Sequence, residues 1–186
     1  LLMGEHKRGR RTYLNDFQRD ADGKYRYHGA FYRYHGSDAE RKRFFRTLWL
    51  YTASAVISLA AGALLMPADG IGRSLYVLLP LAAEIGTLGS AVYASVRLTM
   101  HGDPVRGYIY ERTVKKLPNR CMASAVCAAI GAVATLVFLL ISGEGALWRT
   151  AVYGASKLLV CALSLYLFRF VKQSEWDAQT ETDVSA

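Results

Sequence analysis

Four long apolar stretches alternate with polar and basic segments along the chain. They lie at about 47–66, 75–96, 121–142 and 147–168. Each is close to the roughly 20 residues that a helix needs to cross a hydrocarbon core of about 30 Å. The pattern therefore predicts an all-α integral membrane protein with four transmembrane helices, in which lipid is the solvent around the apolar stretches.

The remaining segments complete the predicted domain organisation. Residues 1–36 form an N-terminal segment, 37–172 the transmembrane domain and 173–186 an acidic tail that is expected to fray beyond Trp176. Ser37 and Glu40 have the spacing of a capping box, which predicts that a helix begins there and leads into the first span. Turn signals at Pro67–Gly70 and Gly143–Gly145 follow the first and third spans. In the connection 97–120, apolar residues recur at partly helical spacing, which predicts an amphipathic helix at the membrane interface. Aromatic residues alternate on both sides of the turn signal Asp20–Gly23, which predicts a short cytoplasmic β-hairpin.

Lysine and arginine are concentrated in segments that four crossings place on one side. The chain carries a formal charge of +8 over 186 residues, with twelve Lys/Arg in residues 1–46 and six in the connection 97–120. The positive-inside rule makes this side cytoplasmic. We therefore expect a plasma membrane or bacterial-type inner membrane, with both termini in the cytoplasm.

Tyrosine and arginine recur together before the first span, where Tyr-Arg-Tyr-His-Gly occurs at 25–29 and again at 32–36. Such residues suit anionic headgroups or a protein interface. Nucleic acid is not expected as a partner, because the headgroups lie closer. The residues predicted to face lipid or a partner are Tyr25, Arg26, Tyr27, Tyr32, Arg33, Tyr34, Arg41, Lys42, Arg43 and Arg46.

No metal or cofactor site is expected. His28 and His35 lack a carboxylate or cysteine that would complete a recognisable set of metal ligands. The three cysteines fall in apolar stretches without a C-x-x-C spacing, which is typical of small buried hydrophobic residues.

Small residues recur every fourth position in two spans. Because lipid gives little drive for helix association, such stripes favour close helix packing, within the chain or against a second copy. The predicted packing residues are Ala82, Gly86, Ser90 and Ala94 in the second span, and Ala123, Cys127, Gly131 and Thr135 in the third. Pro80 removes a backbone donor and predicts a kink in the second span.

Glu84 and Lys157 lie near the middle of the second and fourth spans, at similar predicted depth. A charge at the bilayer centre costs about 2.5–3.5 kcal/mol on insertion scales. Three interpretations stay open at this point. The residues form a structural ion pair, they belong to a proton- or substrate-linked site, or they contact a polar group of another protein.

No catalytic motif occurs, and the four histidines all lie outside the apolar stretches. We therefore expect a non-enzymatic membrane subunit or scaffold that assembles with itself or with another membrane protein. The alternative is a small transporter or ion pathway that uses Glu84 and Lys157. In architecture alone, four helices with one membrane carboxylate resemble small multidrug-resistance exporters. Those chains are shorter and carry the glutamate in the first helix.

Overall fold

The computed structural model describes most of the chain. The described residues are 17–19, 25–27, 29–66, 70–101, 103–142 and 147–179, with the backbone alone described at 17–19, 25, 26 and 142. The predicted turns at Asp20–Gly23 and Gly143–Gly145 lie outside the described residues, as do residues 67–69 of the turn predicted at Pro67–Gly70 and the tail after 179.

Four helices are long and apolar enough to cross a membrane, which confirms the predicted helical plan at this level. They are α1 (Asp38–Leu65), α2 (Leu75–Met100), α4 (Leu117–Ser142) and α5 (Leu147–Lys172). A short helix, α3 (Gly107–Arg112), precedes α4.

Each long helix continues past its predicted span on the side of the basic segments. α1 begins at Asp38, and α5 ends at Lys172. A capping box starts α1, as the sequence predicts: the Ser37 hydroxyl accepts from the Glu40 amide at 3.3 Å, and the Glu40 carboxylate accepts from the Ser37 amide at 2.8 Å. That backbone hydrogen bond lowers the pKa of Glu40. α1 can therefore begin among charged residues, because the capping box provides hydrogen-bond partners for backbone amides of its first turn.

The long helices form an antiparallel bundle in which α5 packs against α1 and α4, and α2 packs against α4 and more lightly against α1. Buried positions alternate at spacings of three and four residues, which is typical of helices that pack at a shallow angle. In α2 these include Val77, Leu81, Glu84, Leu88, Ala91, Ser95 and Leu98. In α5 they are Thr150, Tyr153, Lys157, Val160, Ser164, Leu167 and Val171.

The structure departs from the predicted all-α class by a three-stranded antiparallel sheet. Its central strand is β3 (Phe31–Tyr34), paired on one side with β4 (Val105–Arg106) and on the other with β5 (Trp176–Gln179). In register, Tyr32 lies opposite both Val105 and Ala178. The sheet joins the N-terminal segment, the connection and the tail by backbone hydrogen bonds. These polar segments form strands because each pairs with a strand that is distant along the chain.

The same sheet changes the predicted connection and tail. Among the described residues of the connection 97–120, β4, the short helix α3 and a turn lie between the end of α2 and the start of α4. The location of α3 at a membrane interface stays a prediction. The tail, predicted to lose order after Trp176, forms β5 from that residue. A separate antiparallel pair, β1 (Phe17–Arg19) with β2 (Tyr25–Tyr27), lies where the sequence predicts a hairpin.

An aromatic layer joins this sheet to the bundle. Phe44 of α1 is buried and its ring packs against Tyr34 of β3, Phe170 of α5 and Trp176 of β5. Tyr32 stacks on Tyr110 with ring centroids 4.0 Å apart. Aromatic pairs of this kind add about 0.5–1.5 kcal/mol beyond the buried area. The layer therefore holds the connection and the tail against one end of the bundle.

We predict that β5 docks less firmly as pH rises. His35 Nδ1 lies 2.7 Å from Asp177 Oδ2, and this hydrogen bond raises the pKa of His35. A raised pKa in the folded state stabilises the pairing fully below the ordinary histidine pKa of about 6.5, and the contribution is lost as pH rises through the raised value. In a variant whose sole tryptophan is Trp176, its emission should shift to the red as pH rises from about 6.5 through the raised pKa of His35. Adding His35→Gln should abolish this pH dependence, and an unchanged response would contradict the assignment.

Candidate functional site

The candidate site lies in the centre of the bundle, where Glu84 of α2 meets Lys157 of α5. The Lys157 ammonium donates a hydrogen bond to Glu84 Oε2 at 2.5 Å, and both side chains are 0% exposed. Because α2 and α5 lie across the bundle from each other, with α4 and α1 between them, the pair crosses the interior. Glu84 and Lys157 thus form a direct ion pair within one chain.

Helix periodicity explains why both charges point inward. Glu84 follows the buried Leu81 and precedes Leu88, and Lys157 lies between Tyr153 and Val160. Each therefore occupies the three-and-four spacing that faces the interior of the bundle. An isolated charge in this position would carry a desolvation penalty of several kcal/mol, and the opposite charge offsets much of it.

The surroundings of Lys157 are shaped by a small residue and an aromatic ring. A methyl group built on Gly131 of α4 would lie 3.4 Å from Lys157 Cδ, so Gly131 leaves room for the lysine stem. The Lys157 ammonium lies 4.8 Å from the centre of the Tyr153 ring, a cation–π distance. Gly131, predicted as a packing residue, thus accommodates a charged side chain.

Two buried polar atoms at the site lack a hydrogen-bond partner among the described residues. They are Glu84 Oε1 and the Tyr153 hydroxyl. Buried polar groups without a hydrogen-bond partner are rare in native structures. The ion pair gives Glu84 Oε2 a hydrogen-bond donor, and Glu84 Oε1 can still accept a hydrogen bond from another donor.

Nearby hydroxyls bond mainly to their own helices. The Thr87 hydroxyl donates to the Ala83 carbonyl at 3.0 Å, and the Ser90 hydroxyl donates to the Thr87 carbonyl at 2.7 Å. On the α4–α5 side, the hydroxyls of Ser164 and Ser124 lie 3.4 Å apart. Such bonds reduce the polar lining available to a transported solute.

The two predicted small-residue stripes are split by the fold. In α2, Ala94 is buried and Ser90 half-buried, whereas Ala82 and Gly86 are exposed. A strict four-residue spacing drifts by about 40° per step around a helix of 3.6 residues per turn, so it leaves the interface that the inward positions follow. In α4, Gly131 and Thr135 are buried, and Ala123 and Cys127 are half-buried.

A close contact between α1 and α5 was not among the predicted packing residues. Gly62 of α1 approaches α5 so closely that a methyl group there would lie 2.8 Å from Ser156 Cβ, and the Ser58 hydroxyl donates to the Ser156 carbonyl at 3.4 Å. The signal was present in the sequence, because Ser54, Ser58 and Gly62 recur every fourth position.

Pro80 lies inside α2 near its first end, and the helix continues through it to Met100. The missing donor affects the carbonyl of Tyr76, four residues earlier. The predicted kink stays a prediction.

Several residues predicted to face lipid or a partner contact the chain itself. Tyr27 is buried, and its hydroxyl accepts from the Gly107 amide at 3.1 Å. Tyr32 and Tyr34 belong to the aromatic layer. The large apolar area of these rings is buried against residues that are distant in sequence, which explains the difference.

The arginines of this set divide in a similar way. Arg33 and Arg41 both pair with Asp103, at 3.4 and 3.2 Å. The exposed members at the start of α1 are Lys42, Arg43 and Arg46. The side chains of Tyr25 and Arg26 lie outside the described residues.

Metal-ligand chemistry finds no support in the described part of the chain, where no group of three or more His, Cys, Asp or Glu is placed to hold an ion. Cys121, Cys127 and Cys161 are free.

The sequence matches no family model, and no curated protein or solved structure matches the chain. The residues and their geometry are therefore the basis for assigning a function.

We predict strong energetic coupling between Glu84 and Lys157. Glu84→Met or Lys157→Met leaves a buried charge unpaired and should destabilise the bundle by about 3–5 kcal/mol. The double variant should be more stable than either single variant, because neither charge is left. Equilibrium unfolding of all four proteins in detergent micelles gives the coupling free energy. Additive effects of the two substitutions would contradict the pairing.

We predict opposite outcomes for alanine at two glycines. Gly62→Ala forces the added methyl group against Ser156 and should cost about 1–3 kcal/mol of unfolding free energy. Gly86→Ala is the matched control, because a methyl group there has nothing within 4 Å. It should be neutral or stabilising by up to about 1 kcal/mol, since alanine favours helix. Equal losses in thermal unfolding would argue against the close approach of α1 and α5.

Proposed function

We propose that the chain is a non-enzymatic integral membrane subunit or scaffold that assembles with itself or with another membrane protein. Its four apolar helices insert in a plasma or inner membrane. The lysine and arginine bias supports cytoplasmic termini and a cytoplasmic sheet. Anionic headgroups are the proposed surroundings of the exposed basic residues Lys42, Arg43 and Arg46.

The observation that carries this proposal is a second helical seam on α2, opposite the buried one. The outer face of α2 consists of residues at alternating spacings of four and three: Leu75, Leu79, Ala82, Gly86, Gly89 and Tyr93. Its three large residues, Leu75, Leu79 and Tyr93, are 71%, 67% and 60% exposed. This spacing is the one that brings two helices into extended contact.

The centre of the outer face of α2 is made of small residues. Methyl groups built on Gly86 and Gly89 would meet nothing within 4 Å, so the described chain leaves this surface open. Since lipid tails are as apolar as leucine, close backbone contact over small residues is a main source of helix association in membranes. A neighbouring helix could approach here, flanked by the larger side chains at both ends.

The bundle interior supports a structural role for Glu84 and Lys157. The two charges neutralise each other and are fully buried. Hydroxyls nearby are occupied by backbone carbonyls of their own helices. In this proposal the pair sets the depth and rotation of α2 and α5.

A transporter or ion pathway is the second candidate. It is favoured by Glu84 Oε1 and the Tyr153 hydroxyl, which are buried without a partner among the described residues. A proton exchanged at Glu84 would release Lys157 and change the charge in the bundle centre. Flux into proteoliposomes that disappears with Glu84→Gln would support this candidate over the scaffold.

The proposed assembly is tested by the mass of the purified chain in a mild detergent, measured by light scattering and native mass spectrometry. We expect an oligomer or a complex with a co-purified membrane protein. Ala82→Leu combined with Gly86→Leu should dissociate it, because the added bulk holds the neighbouring helix away.

Ala129→Leu is the matched control, since Ala129 is also exposed and lies in the middle of α4. It should leave the assembly intact. A strictly monomeric native chain without a partner would overturn the proposal, as would equal dissociation by the control.

A further inference from the structure

A cavity of about 310 Å³ lies beside the basic ends of the helices, between α2, α3 and α4. This basic pocket is lined by Tyr93, Arg97, Arg112, Thr113, Lys116 and Arg120. Four of its six residues are cationic, and no carboxylate is among them. Its volume is at the lower end of the range of about 300–1,000 Å³ that is typical of ligand sites.

The fold holds these cations together through the turn between α3 and α4. Arg120 is fixed by its guanidinium, which donates to the Ser90 carbonyl of α2 at 2.7 Å and to the Arg112 carbonyl at 3.5 Å. Thr113 is buried at the base of the turn, where its hydroxyl donates to the Ile109 carbonyl at 2.6 Å. The positive charges are therefore concentrated by tertiary structure, against their mutual repulsion.

The chemistry of the basic pocket suits a phosphate group. Guanidinium groups bind phosphate oxygens through paired hydrogen bonds, and a lysine adds a compact charge. Basic pockets between helices on the cytoplasmic side are suited to anionic lipid headgroups. A phosphate anion would lower the electrostatic repulsion among Arg97, Lys116 and Arg120, whereas an uncharged or cationic ligand would not.

The position of the basic pocket points to lipid as the source of the phosphate. Tyr93 lines the pocket and is also the last residue of the outer face of α2, where it is exposed, so the pocket lies beside a surface of α2 that lipid can reach. A phospholipid could place its headgroup among the cations and its acyl chains beside the exposed ring of Tyr93, in the surrounding lipid. A soluble phosphate would use only the polar part of this surface.

We propose that the basic pocket binds the phosphate headgroup of an anionic phospholipid. The proposal rests on the proposed membrane insertion and is independent of the assembly through the outer face of α2. The Ala82→Leu/Gly86→Leu variant should therefore keep the headgroup affinity, even as a monomer.

The test measures binding to the purified full chain in detergent, by native mass spectrometry and thermal shift. The probes are short-chain phosphatidylglycerol, short-chain phosphatidylcholine and inorganic phosphate. We expect phosphatidylglycerol to bind and to raise the unfolding temperature, with much weaker effects of the other two. Equal binding of phosphatidylglycerol and phosphatidylcholine, or of phosphatidylglycerol and inorganic phosphate, would overturn the proposal.

A charge-matched pair of variants locates the site. Arg97→Gln combined with Lys116→Gln should weaken phosphatidylglycerol binding on the order of thirtyfold, from about 1 kcal/mol per charge. Arg169→Gln combined with Lys172→Gln removes the same charge from the exposed end of α5 and should change it little. Equal weakening by both pairs would show general surface attraction and overturn the assignment. The unfolding temperature without lipid verifies that each variant is folded, and the native chain's lipid selectivity tests the proposal independently of any variant.

Discussion

The bundle depends on one buried charge pair between two helices that share little other contact. Glu84 and Lys157 tie α2 to α5 across the interior, at 2.5 Å and without exposure. Removing either partner leaves a charge in an apolar core, so the pair adds a free-energy penalty to any rotation of α2 or α5 that separates the two charges. The surrounding small and aromatic residues, Gly131 and Tyr153, adapt the core to a lysine stem and its ammonium group.

The rotation of α2 that points Glu84 into the bundle also decides which of its residues lie on the outer face. The side opposite Glu84 carries the small-residue centre of the outer face of α2, open above Gly86 and Gly89. At its basic end, the same helix contributes Tyr93 and Arg97 to the basic pocket. One helix therefore connects the interior ion pair, the proposed assembly surface and the proposed headgroup site, and its rotation affects all three.

The end of the bundle at which the basic segments lie is covered by a sheet that the local composition of those segments does not predict. β3 recruits β4 from the connection and β5 from the tail, and the aromatic layer around Phe44 anchors them. Tyrosines that the sequence predicts to face lipid or a partner pack within the chain instead. Arg33 and Arg41 both form ion pairs with Asp103. The basic residues left exposed at the start of α1 are accordingly fewer than the sequence pattern indicates.

The sequence by itself determined the four long apolar helices, their approximate limits, the capping box at Ser37 and the central position of Glu84 and Lys157 along their helices. These features follow from hydropathy and hydrogen bonding between residues that are close along the chain. Only the tertiary structure decided that the two charges meet, that Ala82 faces outward, that Gly62 meets Ser156, and that four cations surround one cavity. Each of these depends on how separate helices rotate and pack against one another, and a four-residue spacing in one helix does not specify the face that its neighbour will cover.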